Sequence, residues 1–111
     1  MASDLQMNDK TLLELAAKAA GIEIYTQVGN TILYKIGKYL GHWNPLTSND
    51  DALRLAVKLK IPLQFPDWTN VTRTWGSKSN LDAFDEPHGA DPYAATRRAI
   101  VRAAAEIGKS A

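Results

Sequence analysis

IEIYTQVGNTILYKI, residues 22–36, decides the fold class of this chain. Ile22, Ile24, Thr26 and Val28 alternate with Glu23, Tyr25 and Gln27, a period of two that predicts a strand. Gly29-Asn30 follows as a two-residue hairpin loop with glycine first. TILYKI (31–36) is the return strand. That loop sets Val28 opposite Thr31, Gln27 opposite Ile32, Thr26 opposite Leu33 and Tyr25 opposite Tyr34. Neither side of the hairpin is fully polar, so the sheet is expected to be covered, at least in part, on both faces.

Helices on either side supply the cover. DKTLLELAAKAA (9–20) places Leu12, Leu15, Ala16 and Ala19 on one helical face, with Asn8 or Asp9 as cap and Gly21 after the last turn. A second helix is predicted from Asp50 to Lys60. Thr47 or Ser48 caps it, and Asp50 or Asp51 stands three residues on. Asp50 and Arg54 are spaced to pair on its surface, and Pro62 stops it. In the third helix Asp91 is the cap and Pro92 the first helical residue. Ile100, Ala103, Ala104 and Ile107 form its apolar line, Arg98, Arg102 and Glu106 an outer face, and Gly108 its end. PLQF (62–65) and NVTRTW (70–75) are further strand candidates. GKYLGHWNPLTSND (37–50) and GSKSNLDAFDEPHGA (76–90) read as connections, and Trp43 as a residue of the first. The order is then α-β-β-α-β-β-α. The expected fold is α+β, a three-layer α/β/α sandwich around a small, mostly antiparallel sheet.

Composition fits one domain over residues 8–108, with 1–7 and 109–111 as tails. The chain has 111 residues, 45% hydrophobic and 23% charged, enough for one core without staples. It has no cysteine, which excludes disulfides and thiolate metal sites. A formal net charge of +1 gives no general pull toward nucleic acid or an anionic membrane. No apolar run approaches the ~20 residues of a membrane span, and MASDLQMNDK has no apolar signal region. The expected location is the cytoplasm.

Two blocks carry a likeness to known proteins. WNPLTSNDDALRLAVKL (43–59) and DPYAATRRAIVRAAAEIG (91–108) resemble the phage ABA sandwich domain of small tailed-phage and prophage proteins. Together they cover about a third of the chain. The resemblance implies an α/β/α layering and a phage or prophage source, hence the cytoplasm of a bacterial host. It brings no activity, cofactor or site residue with it.

The residues themselves offer four candidate contacts for a ligand: Trp43, Trp75, Arg97 and Arg98. Aromatic rings stack planar groups and guanidinium groups grip phosphates in pairs of hydrogen bonds. Lys35 and Lys38 could extend such an anion site. Set against this, Trp43, Trp68, Trp75, Tyr39 and Phe65 also suit a small core or an interface, and Arg98 and Arg102 a solvated helix strip. The acidic run Asp82, Asp85, Glu86, His88, Asp91 holds oxygen and imidazole donors, but in no metal-loop spacing, so no metal and no cofactor are expected. His42 and His88, with Thr47, Ser77 and Ser79, make no recognisable nucleophile motif, which weighs against an enzyme. The leading expectation is a non-catalytic module that binds a host or phage protein, or itself. Binding of a small anionic, nucleotide-like ligand is the alternative, and nucleic-acid binding ranks last.

Overall fold

The computed structural model describes residues 8–28, 31–36, 39–67, 69–75 and 83–109. Among these residues the fold is α+β, with three helices and two three-stranded antiparallel sheets. In chain order the elements are α1 (Asp9–Ala20), β1 (Ile24–Val28), β2 (Thr31–Ile36), β3 (Tyr39–Trp43), α2 (Asn49–Leu59), β4 (Leu63–Gln64), β5 (Val71–Trp75), β6 (Ala83–Pro87) and α3 (Pro92–Lys109). Two strands exceed the sequence expectation. β3 and β6 lie in stretches that read as connections, and each completes a sheet, in the orders β1-β2-β3 and β4-β5-β6.

The helix ends follow local rules. Asn8 caps α1 by accepting from the Thr11 backbone N–H, and Gly21 takes the left-handed conformation. The chain then turns back, with Ile22 N–H bonding the Ala17 carbonyl. Ser48, one of the two predicted caps, accepts from Asp51 N–H at the start of α2. α2 ends on a left-handed Lys60, a conformation that usually selects glycine, and Ile61 N–H closes onto the Ala56 carbonyl. Asp91 caps α3 as expected, accepting from Tyr93 and Ala94 N–H.

One glycine departs from its reading. Gly108 lies inside α3 and does not end it. A Cβ there would stand 2.1 Å from the Leu15 carbonyl oxygen, so the glycine is where α3 meets the backbone of α1. Alanines are buried in the same core: Ala16, Ala17 and Ala20 on α1, and Ala103, Ala104 and Ala105 on α3. Small side chains let two helix backbones approach closely, which fixes which turns face each other.

α3 is buried over more of its circumference than one apolar line would give. It packs along α1, on α2 and on β5 and β6. Ile32 and Trp43, register partners across β2 and β3, bring the first sheet into the same core. Tyr34 pairs with Gly41 one step along, and a Cβ on Gly41 would meet the Tyr34 ring at 2.8 Å. The tyrosine ring therefore lies across the glycine, and the strand needs glycine there.

The β1–β2 hairpin keeps the predicted pairs Val28–Thr31, Gln27–Ile32 and Thr26–Leu33. Tyr25 does not face Tyr34, because a bulge between Ile24 and Thr26 makes Ile24 the partner of Tyr34. In β5 the inward residues are Thr72 and Thr74, both fully buried, while Val71, Arg73 and Trp75 take the other face. Thr74 donates to the Pro62 carbonyl at 2.7 Å. Thr72 Oγ1 lies 2.9 Å from His88 Nε2 and 2.8 Å from Thr96 Oγ1 of α3. Beside them Glu86 pairs with Arg102. The second sheet thus meets α3 through a polar seam.

Candidate functional site

A cleft opens beside the turn between β3 and α2. Asn44 Oδ1 accepts from Leu46 N–H, and the Asn44 carbonyl accepts from Thr47 and Ser48 N–H. Asp51 reaches back from the first turn of α2 to accept from Asn44 N–H at 2.9 Å. Strand end and helix start are thereby tied together, with Pro45 buried beneath them. The capping box has changed partner: its acid holds Asn44 N–H.

α2, so fixed, faces the end of α1 and the inner side of the first sheet across a cleft of about 290 Å³. Its floor is Ala20, Ile22, Leu55, Tyr34 and Trp43, and its α2 rim carries Asp50, Asp51, Arg54 and Lys58. Asp50 and Arg54 form the predicted pair at 3.0 Å, exposed to solvent. Lys58 stands one turn beyond Arg54. An apolar, partly aromatic floor with a few charged groups at the mouth is the usual make-up of a small-molecule site. Two acids and two bases leave the rim with no net charge, and the bases sit together on consecutive turns.

The four residues singled out in the sequence are not gathered here. Trp43 lines the cleft, but it is only 6% exposed and belongs to the core. Trp75 ends β5 on the second sheet and is half-buried. Arg97 donates to the Leu46 carbonyl at 2.8 Å and to Asn49 Oδ1 at 2.7 Å, so it clamps the β3–α2 turn from α3. Arg98 donates to Asp9 at 3.2 Å, tying α3 to the start of α1. Arg102 does the same for β6 through Glu86. Arg98 and Arg102 are partly exposed, as an outer face requires, but they also join α3 to its neighbours. Lys38, Trp68, Ser77, Ser79 and Asp82 lie outside the described residues, as do the side chains of Lys35 and Tyr39.

The acidic run resolves into separate structural partners. Asp85 takes two hydrogen bonds from Arg73 across β5 and β6, at 2.7 and 3.0 Å. The Arg73 guanidinium holds the Asp85 carboxyl below its ordinary range, chiefly through these bonds, and Arg73 is raised in turn. Among the described residues no three histidine, aspartate or glutamate side chains converge as a metal site would need. His88 and Thr72 have a nucleophile–base distance, but Thr72 is sealed from solvent and bonded on both sides, so the pair holds the seam together.

The surface has a second noteworthy feature. Leu53 and Val57 stand one turn apart on α2, 61% and 68% exposed, while Ala52, Leu55 and Ala56 fill the buried side of the same helix. Phe65 and Tyr93 are also exposed, as are Ile24, Tyr25 and Val28 of β1. Neither Leu53 nor Val57 is among the candidate residues of the sequence. The available signal was excess: α2 carries more apolar positions than one face can bury.

These features define a small α+β protein with an aromatic-floored cleft and exposed apolar groups. No protein-family model matches the chain, and no curated protein or solved structure matches it with significance. No described helix is long and apolar enough to cross a membrane.

Proposed function

We propose that this chain is a small phage or prophage accessory protein, in the cytoplasm of a bacterial host, that works by binding protein without catalysis. The observation that carries the reading is the exposed pair Leu53 and Val57 on a helix whose inner side is already filled. Single exposed apolar residues are ordinary, but neighbours on one helical face are the usual form of a helix-in-groove anchor. The likeness of residues 43–59 and 91–108 to the phage ABA sandwich domain supports the source. The test is pairwise: co-purify the chain with each product of the genes beside its own, then titrate by calorimetry. Leu53→Lys and Val57→Lys should weaken the complex at least about tenfold, a loss of about 1.4 kcal/mol, with unchanged melting temperature. If the chain binds no neighbour and does not self-associate, the reading falls.

The cleft favours a second reading, a small anionic ligand with a planar ring. Arg54 and Lys58 would take the charge, and Tyr34 and Trp43 the ring. A ligand at about 100 times its Kd stabilises by about 2.7 kcal/mol. A nucleotide series at millimolar concentration that leaves the melting temperature unmoved would remove it.

A further inference from the structure

α2 turns charge of both signs toward the cleft, and part of it has no counter-charge within the fold. Asp50 and Arg54 neutralise each other at 3.0 Å. Asp51 is held from one side: its Oδ2 accepts from Asn44 N–H, and no hydrogen bond to its Oδ1 is found among the described residues. An ionised carboxylate can accept up to about four hydrogen bonds, so Asp51 keeps most of its capacity. Lys58 forms no ion pair among the described residues. One acid and one base of the cleft are thus left to meet a ligand.

Their spacing orders them. Asp51, Leu55 and Lys58 stand at i, i+4 and i+7, one line along the helix, and all three line the cleft. Seven residues at a rise of about 1.5 Å put the ends of this line about 10 Å apart. The short Asp51 side chain is fixed at one end by the turn. Lys58 is exposed at the other, and its long chain can bring the ammonium group back toward Asp51. Between them lies an apolar surface, Leu55 with Ile22, Tyr34 and Trp43.

Size and charge narrow the ligand class. About 290 Å³ is the small end of small-molecule sites, which run from roughly 300 to 1,000 Å³, room for one ring system and a short chain. A polyphosphate would set several negative charges beside Asp50 and Asp51, and like charges brought together are strongly disfavoured. A free α-amino acid carries one charge of each sign at neutral pH, side by side.

We propose that the cleft binds a free α-amino acid with an aromatic side chain. Its ammonium group meets Asp51, its carboxylate meets Lys58, and its ring lies on the floor of Tyr34 and Trp43. The proposal rests on the small-ligand reading of the same cleft and names the class: neutral overall, with a carboxylate in place of a phosphate.

The test is calorimetric titration of the whole chain with L-tryptophan, L-phenylalanine and L-tyrosine at up to millimolar concentration. Three analogues each remove one feature: the N-acetyl derivative the positive charge, the amide the negative charge, and alanine the ring. At least one aromatic amino acid should bind, and each analogue should bind at least about tenfold more weakly. Lys58→Met should weaken the amino acid by a similar factor at an unchanged melting temperature, yet leave the amide as it was. Asp51→Asn, which keeps an oxygen for Asn44 N–H, should weaken the amino acid and leave the N-acetyl derivative as it was. The inference is overturned if no aromatic amino acid binds, or if the amide binds as tightly as its parent. An N-acetyl derivative that binds as tightly as its parent, or a nucleotide that binds where amino acids do not, overturns this inference and leaves the anionic-ligand reading standing. Silence toward amino acids, N-acetyl derivatives and nucleotides alike removes both.

Discussion

At the scale of single residues, three side chains explain much of the construction. Gly108 is defined by what it lacks, since any Cβ would meet the Leu15 carbonyl. Gly108→Ala should therefore destabilise by about 1–3 kcal/mol, as overpacking does, although alanine is the better helix former. Thermal unfolding with circular dichroism checks the sign, because propensity alone would predict stabilisation. Arg97 shows how an apparent ligand residue can be structural: its Nε–H and one of its terminal amino groups both go to the 46–49 turn. Thr72 joins His88 to Thr96 from a fully buried position. Thr72→Val keeps the shape and removes the hydroxyl, leaving both partners short of a bond. The expected loss is about 1–3 kcal/mol, read as a lower denaturation midpoint with an unchanged slope.

At the scale of elements, the helices were legible and two strands were not, for physical reasons. α1, α2 and α3 declare themselves through 3.6-residue periodicity and local caps at Asn8, Ser48 and Asp91, all within a few residues of sequence. β3 hides because Gly41 interrupts it, and that glycine answers to the ring of Tyr34 on the next strand. β6 hides because Asp85 and Glu86 look solvated, yet their partners Arg73 and Arg102 arrive from β5 and α3. The same holds for the cleft. The spacing of Asp50, Arg54 and Lys58 was visible, but the floor they face is assembled from α1, β2 and β3. The cross-strand pair Arg73–Asp85 gives this scale a pH signature. The carboxyl is held low in the folded state, so its contribution is present above the unfolded carboxylate pKa of about 3.9 and is lost as pH falls through the lower folded value. The stability difference between the wild type and Asp85→Asn should close on acidification. It should also shrink with added salt, because both side chains are partly exposed. A difference that widened toward low pH would contradict the assignment.

At the scale of the whole molecule, the strongest association is between the first helix and the last. Asp9 meets Arg98 and Leu15 meets Gly108, so α1 and α3 run in the same general direction. The apolar side of α1 is covered mainly by α3, while the second sheet reaches the core through its polar seam on the same helix. This arrangement has a consequence for how the protein comes into being. On the ribosome α1 emerges before α3 and waits with its leucines and alanines uncovered until α3 has been made. Contacts of such long sequence separation are slow to close, and domains settle as units once their last piece is out. A transcript cut short before α3 would thus release a chain with no core to form, and the cell would receive either the complete fold or a substrate for its proteases.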